Sequence, residues 1–255
     1  MADWNAQQYK KFEKERTQPS IDLIHRIEIK PESILDIGCG PGNSTHQLKI
    51  HFPNAHILGV DQSSDMLAKA KASYADLSFR KANIPKDLES LDSYDLIFAN
   101  ACLHWIPDHS VLLPKLIDQL NDNGMLAVQM PMVQTAIFYR CLHEVLKRQK
   151  WNALNRIHNF HNVSPEKTYD ILVPISHVSM WETTYYHVLE NHEAIIEWYK
   201  GSGLRPYLAQ LEEKKKAEFI LDLLGILKKE IPKQRDGSVL LKMPRFFFMA
   251  KRYSE

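Results

Sequence analysis

The sequence predicts an α/β fold in which helices cover both faces of a parallel sheet. Short apolar or β-rich runs alternate with helix-like or polar segments through the first half of the chain. These runs lie at 33–37, 57–60, 78–80, 96–99 and 125–130. Because strands that alternate with helices build a parallel sheet, we expect ligands to bind just beyond the carboxyl ends of the strands.

The first run leads into a glycine-rich loop. The chain has nine glycines in 255 residues, and three of them stand at alternate positions of this loop, Gly38, Gly40 and Gly42. A helical pattern follows over 43–52, with Asn43 and Ser44 as candidate N-caps. A loop between a strand and a helix N-terminus leaves backbone N–H groups unpaired, and glycines let a ligand approach them closely. Such a loop suits a carboxylate or a phosphate.

Two classes of cofactor compete for this loop. The dinucleotide fingerprint G-x-G-x-x-G needs its third glycine where this chain has Asn43. Asp36 stands just before the loop, and an acid there can meet the cationic amino group of S-adenosylmethionine (SAM), which a pyrophosphate lacks. A glycine turn that binds nothing is the third interpretation. The loop on its own therefore favours SAM without deciding for it.

Polar side chains follow the next runs. Asp61 ends "HILGVD" about 20 positions after Gly42, close to the spacing at which an acid accepts ribose hydroxyls from an adenosine-containing cofactor. It can instead cap the helix that begins near Ser64. Asn83 can read an adenine edge or simply form a turn. Asn100 closes the apolar run "YDLIFAN" and can bind a ligand or stabilise its own loop.

Composition excludes several classes of protein. A net charge of +1 gives no support for a nucleic-acid partner. The three cysteines are isolated and odd in number, which suits a reducing compartment and argues against disulfides and a zinc site. No apolar run is long enough to span a membrane, and the first residues are too polar for a signal peptide. We expect a cytoplasmic protein without a metal; the sequence does not fix the oligomeric state, and a monomer is compatible with it.

The motifs together resemble the class I SAM-dependent methyltransferases. "LDIGCGPGNST" is similar to the first motif of that family, "GVDQSSDML" to the second, "RKANIP" to the adenine-side segment, and "YDLIFANACLHWIPD" to the fourth strand and the loop after it. The resemblance implies a Rossmann-like sheet of seven strands with one antiparallel strand near the edge. Strands six and seven would come from "HVSMWETTYYHVL" and "PRFFFMAKR".

The resemblance also implies a domain plan and a set of cofactor contacts. A single domain would span 1–255, with a cover segment at about 1–30 and helical cap insertions at about 132–170 and 191–237. The glycine loop would hold the methionine part of SAM, Asp61 the ribose and Asn83 the adenine amine, although the family more often has Asp at this third position. The implied cofactor-binding residues are Asp36, Gly38, Gly40, Gly42, Asp61, Gln62, Met66, Asn83 and Asn100.

Segments along nearly the whole chain, among them "MLAVQMP", "GSGLRPYL" and "KMPRFFFMAKR", resemble members of this family that esterify one carboxylate of a propene tricarboxylate. A small-molecule carboxylic acid is then the substrate. A carboxylate is already an anion at neutral pH, so alignment and exclusion of water replace a catalytic base. The candidate substrate-positioning residues are His104, Tyr185 and Arg205. Trp4 and Arg16 would belong to the cover segment, which would fold over the cofactor.

Each of these residues has a simpler interpretation. His104 beside Trp105 can be packed in the core, and Tyr185 and Tyr186 point to opposite faces of a strand, so at most one of them faces a pocket. Arg205 can be a solvated surface residue. The segment 132–167 departs most from the resemblance, which leaves room for another acid such as an acyl group on a carrier protein. A SAM-binding protein without turnover is a further alternative, and an NAD-dependent oxidoreductase ranks last.

Overall fold

The structure is a computed structural model that describes residues 13–157 and 160–253. Trp4 of the predicted cover segment lies outside the described residues. Within them, one sheet has the strand order β3-β2-β1-β4-β5-β7-β6. Its strands are β1 (Ser33–Ile37), β2 (His56–Asp61), β3 (Ser78–Lys81), β4 (Tyr94–Asn100), β5 (Leu120–Pro131), β6 (Ser176–Leu189) and β7 (Val239–Arg252).

The sheet is mostly parallel. Strands β1 to β5 pair in parallel with their neighbours, and β7 pairs antiparallel with β5. The predictions of a seven-stranded α/β sheet and of one antiparallel strand near its edge are confirmed. The central strands β1 and β4 are buried almost throughout, as expected for parallel strands covered on both faces. Their carboxyl ends are therefore held rigidly by the core.

Helices and short 3-10 turns connect the strands. The helices are α1 (Glu13–Ile24), α2 (Asn43–His51), α3 (Ser64–Ser73), α4 (His109–Asp118), α5 (Ile137–Leu146), α6 (Pro165–Leu172), α7 (His192–Lys200), α8 (Arg205–Leu208) and α9 (Glu213–Glu230). The 3-10 turns are Leu88–Ser90, Leu103–Trp105 and Gln149–Arg156. No helix in the described part of the chain is long and apolar enough to cross a membrane.

The prediction of the cap of α2 is wrong. Gly42 is the N-cap, with φ 94°, and no side chain caps this helix end. Asn43 and Ser44 lie inside the first turn instead. The Ser44 hydroxyl is directed to Asp36, so tertiary hydrogen bonding takes it away from the capping role that its residue type favours. The next helix, α3, is capped by Ser63, whose Oγ accepts from the Met66 N–H at 3.4 Å.

The chain divides into two compact units. The sheet unit consists of 14–131, 160–183 and 245–255. It contains β1 to β5, the glycine loop and every predicted cofactor residue. Its core combines the apolar strands with side chains of the covering helices, including Leu48, Leu67 and Leu116.

Within the described residues, the helical unit consists of Glu13, 132–157 and 184–244. Its core contains Trp151, Trp198 and Phe219, which are fully buried or nearly so. The Trp151 indole N–H donates to Asp222 Oδ2 at 2.6 Å, and Asp222 also pairs with Lys150 at 2.7 Å. Ile195, Trp198 and Tyr199 form an apolar stripe on α7 and belong to this core.

Candidate functional site

The glycine loop is tight at two positions and open at one. Gly38, Gly40 and Gly42 all have positive φ, at 69°, 56° and 94°. Residues other than glycine adopt this backbone conformation only at an energetic cost. A Cβ at Gly38 would collide with the Cβ of Cys102, and one at Gly42 would meet Tyr74 at 2.8 Å. No atom of the described residues lies within 4 Å of a Cβ at Gly40. The open space beside Gly40 can therefore hold a ligand atom close to the backbone.

Asp36 is a buried acid with one oxygen to spare. Its Oδ2 accepts from Ser44 Oγ at 2.7 Å and Thr45 Oγ1 at 2.6 Å, whereas Oδ1 has no hydrogen-bond partner among the described residues. Burial, opposed by the two hydroxyls and assisted by the charge of Asp61, raises the pKa of Asp36 to about 7. An orphaned carboxylate oxygen of this kind suits a cationic ammonium group.

Asp61 is fixed at the carboxyl end of β2. Its Oδ2 accepts from the Gly40 N–H at 3.0 Å, and its Oδ1 accepts from the Ser63 N–H at 2.8 Å. Burial raises the pKa of this carboxyl, while the backbone N–H groups oppose the rise. The carboxylate is half-buried and keeps further lone pairs, so it can accept the two hydroxyls of a ribose.

The remaining predicted cofactor residues lie along the same strand ends. Ala82 N–H donates to Asp61 O at 3.1 Å, which brings the exposed Asn83 next to the end of β2. Asn100 follows Ala99, which lies opposite Ile37 across the β1 and β4 pairing, and its Oδ1 is buried without a partner among the described residues. Two further candidates stand at the start of the following helix, the exposed Gln62 and the buried Met66.

Sequence reasoning missed the residues that support Asp36 and the loop. Ser44 and Thr45 hold the carboxylate, and the Cys102 Sγ donates to the Ile37 carbonyl at 3.0 Å while it packs against Gly38. A signal for the hydroxyls is present as "ST" shortly after the last loop glycine, but a serine at that place equally predicts a helix cap. Nothing local to Cys102 predicts its contact with β1.

The predicted substrate residues fall in both compact units. His104 belongs to the sheet unit, where it is 4 % exposed, and its ring lies 4.9 Å from Trp105. Burial, with a smaller contribution from the charge of Arg245, lowers its pKa to about 3, so the imidazole is neutral at pH 7. Tyr185 and Arg205 belong to the helical unit; Tyr185 is half-buried and Arg205 begins α8. Arg16 is a half-buried residue of α1.

The pH dependence of stability should report on Asp36. Because its folded pKa of about 7 lies above the ordinary 3.8, the folded state binds its proton more tightly, and the resulting stabilisation is complete below pH 3.8 and lost by pH 7. Without cofactor, we expect the free energy of unfolding of the wild type to fall relative to Asp36→Asn by about 1.4 kcal/mol per pH unit between pH 5 and 6, and by less as the pH approaches 7. Urea unfolding measures this, and parallel curves would contradict it.

The pKa shifts of other groups affect the wild type and Asp36→Asn equally, so they cancel when the two proteins are compared. The lowered pKa of His104 makes both proteins lose stability as the pH falls below 6.5 toward 3. The amide introduced by Asp36→Asn keeps an oxygen for the hydroxyls of Ser44 and Thr45, so the packing around it changes little.

The site residues fit SAM. The orphaned Asp36 oxygen can take its ammonium group, the space at Gly40 its methionine chain and the Asp61 carboxylate its ribose. Within the described ranges, no group of three or more His, Cys, Asp or Glu side chains is arranged to hold a metal ion.

Known proteins with similar sequences are methyltransferases. A model of the methyltransferase domain matches residues 30–193. The trans-aconitate 2-methyltransferase of Klebsiella pneumoniae is 40 % identical over 254 residues, covering 99 % of both chains. The enzyme of the same name from Escherichia coli is 37 % identical, again over 99 % of both chains. The predicted resemblance to enzymes that act on a propene tricarboxylate is thereby confirmed.

Solved structures share the fold. The YcgJ protein of Bacillus subtilis superposes with a TM-score of 0.60 at 14 % identity, covering 93 % of this chain and all of that one. Phosphoethanolamine N-methyltransferase 2 of Haemonchus contortus, solved with SAM, gives a TM-score of 0.57 at 16 % identity over 92 % of this chain and 53 % of that one. The domain match and the full-length relatives show that this chain belongs to the SAM-dependent methyltransferases, within the family of the trans-aconitate 2-methyltransferases.

Proposed function

We propose that this protein transfers a methyl group from SAM to one carboxylate of trans-aconitate. The observation that supports trans-aconitate as the substrate is the similarity, along the full length, to relatives named trans-aconitate 2-methyltransferase. The arrangement of Asp36, Gly40 and Asp61 supports the methyl donor. A small tricarboxylic acid is then the partner in the reaction.

Each cofactor residue has a proposed task. Asp36 binds the ammonium group of SAM, the backbone around Gly40 lies along the methionine chain, and Asp61 accepts the ribose hydroxyls. Asn83 reads the adenine amine from the end of β3. The residues Gly38 and Gly42 shape the loop, and further contacts come from Gln62, Met66 and Asn100.

The reaction requires orientation more than proton transfer. When bound, SAM supplies a methyl group on a positively charged sulfur, which is already electrophilic. Because the acid is an anion at neutral pH, no residue has to remove a proton from it. Proximity alone can lower such a barrier by about 7 to 11 kcal/mol. The neutral His104 can donate one hydrogen bond to the acid.

Substrate positioning is proposed for His104, Tyr185 and Arg205. A guanidinium at the start of a short helix can bind a carboxylate through two parallel hydrogen bonds, and a phenol adds a single donor. We also propose a cytoplasmic location, because all three cysteines are free thiols, two of them buried.

Incubation with methyl-labelled SAM tests the function. The purified protein is supplied with trans-aconitate, with citrate, or with no acid, and products are identified by mass spectrometry. We expect a labelled monomethyl ester from trans-aconitate and none in the two controls. Calorimetry with SAM runs in parallel, so that SAM binding without ester would point to another acid or a carrier-bound acyl group. The absence of both ester and SAM binding would contradict the proposal altogether.

A further inference from the structure

Gln129 is a buried amide that the cofactor site does not use. It lies near the carboxyl end of β5, in the otherwise apolar run "MLAVQMP", and its side chain is fully buried. Neither Nε2 nor Oε1 has a hydrogen-bond partner among the described residues. Buried amides are nearly always hydrogen-bonded, because leaving them unpaired destabilises the fold. Gln129 therefore marks a place where a ligand or a water completes the structure.

Strand pairing gives Gln129 polar neighbours on its own face of the sheet. Gln129 lies opposite Asn100 on β4, and Pro131 lies opposite Arg245 on β7. Residues opposite each other share a face, and so do residues two apart on one strand. The side chains of Gln129, Asn100 and Arg245 are thus on one face, at the same end of the sheet. Arg245 is 8 % exposed.

Hydrogen bonds join two loops to each other and to the end of β5. The His161 N–H donates to the His104 carbonyl at 2.8 Å, and Asn162 Nδ2 donates to the Pro131 carbonyl at 2.6 Å. His104 Nδ1 and Asn162 Oδ1 are buried and have no partner among the described residues. We call Gln129, His104, Asn162 and Arg245 the Gln129 cluster. Every member belongs to the sheet unit.

Arg245 brings a guanidinium to the Gln129 cluster. It lies close enough to His104 to contribute to the lowering of the pKa of that imidazole, after burial. The two amides are neutral. A guanidinium beside amide and imidazole N–H groups matches an anion with planar oxygen acceptors, which is a carboxylate. Asp36 and Asp61, in contrast, suit the cationic and hydroxyl groups of the cofactor.

We infer that Gln129, together with His104 and Arg245, binds a carboxylate of the acid that receives the methyl group. The inference rests on the proposed function, because it names the residues that hold that acid. Gln129 and Arg245 donate to the carboxylate, and His104 orients it. The position suits a substrate that must lie near the cofactor. Asn100 is opposite Gln129 on one side, and on the other side β4 pairs with β1, the strand that leads into the glycine loop.

Gln129→Met is the decisive variant. It keeps the shape of the side chain and removes two polar atoms that have no partner among the described residues, so the thermal midpoint should stay the same or rise. The Kd for SAM should change by less than about twofold, while the KM for trans-aconitate should rise by about tenfold or more. Gln129→Glu, which sets a like charge against the acid, should raise KM at least as far.

Gln119→Met is the matched control. The Gln119 amide donates to the Leu91 carbonyl at 2.7 Å and to the Asp92 carbonyl at 2.8 Å, so its replacement should lower the thermal midpoint and leave KM unchanged. Acid binding is also measured by calorimetry with S-adenosylhomocysteine present. A wild type that binds trans-aconitate without forming ester contradicts the proposed function alone, and its affinity relative to Gln129→Met still tests the inference.

Three results overturn the inference. The first is an equal affinity of the wild type and Gln129→Met for trans-aconitate. The second is a lower thermal midpoint of Gln129→Met with an unchanged KM, which would assign the amide to a structural water. The third is a wild type that does not bind the acid at all.

Discussion

Replacing Gly40 by alanine is expected to weaken SAM binding by about a hundredfold, which corresponds to about 2.8 kcal/mol. The new methyl group would enter the open space beside the loop, where the methionine chain of SAM is proposed to lie. It would meet no atom of residues 13–157 or 160–253 within 4 Å, so we expect the loss to come from the ligand and not from a clash inside the fold. Calorimetric titration with SAM measures the effect.

Gly237→Ala separates this effect from backbone strain. Gly237 has φ 86°, and in the described part of the chain no atom lies within 4 Å of a Cβ there, as at Gly40. Both variants should lose about 1 to 2 kcal/mol of stability from the left-handed backbone. Only Gly40→Ala should lose SAM affinity. If the two variants bind SAM equally well, the space at Gly40 does not belong to the cofactor.

Asp61→Ala is expected to lower SAM affinity by about a hundredfold or more. Two hydrogen bonds from ribose hydroxyls to a carboxylate would be lost, each worth about 1.5 to 3 kcal/mol. The substitution also leaves the N–H groups of Gly40 and Ser63 without the acceptor that fixes the loop. Titration with SAM and with S-adenosylhomocysteine should show the same loss, because both carry the ribose.

Asp95→Ala is the control for the structural part of that loss. The Asp95 carboxylate accepts from the N–H groups of Glu32 and Ser33 at 2.9 Å and from Asn121 at 2.8 Å, near the amino end of β4. Its removal should destabilise the sheet unit to a similar degree, yet leave SAM affinity at the wild-type value. A similar loss of SAM affinity in both variants would show that Asp61 has a structural role and does not bind the ribose.

The part of the site that lies close together in sequence was predictable. The run 33–37 is the strand β1 itself, and Asp36, the loop glycines and Asp61 meet because parallel strands end at one edge. Hydrophobic patterning and glycine spacing are local features of the sequence, so the strand and the loop can be predicted from them directly. The extent of β5 was less clear, since its first residue pairs with Tyr94 across an irregular register.

The Gln129 cluster was not predictable in the same way. Its members come from β5, β7 and two loops, and the antiparallel pairing of β7 with β5 places Arg245 opposite Pro131, two residues along the strand from Gln129. No local pattern encodes that register. A partial signal existed, because a glutamine inside "MLAVQMP" interrupts an apolar strand that is buried on both sides. Polar residues within such strands are worth testing against the pairing of the whole sheet.

The strand order has a consequence for synthesis on the ribosome. β7 is the last strand to be made, although it lies in the sheet between β5 and β6. β6 therefore leaves the ribosome well before its neighbour, while α7, α8 and α9 are still to follow. At the usual rates of elongation, the growing chain exposes an unpaired edge of β5 for several seconds. The nascent chain, more than the finished protein, is then the state in which this sequence is most prone to aggregate.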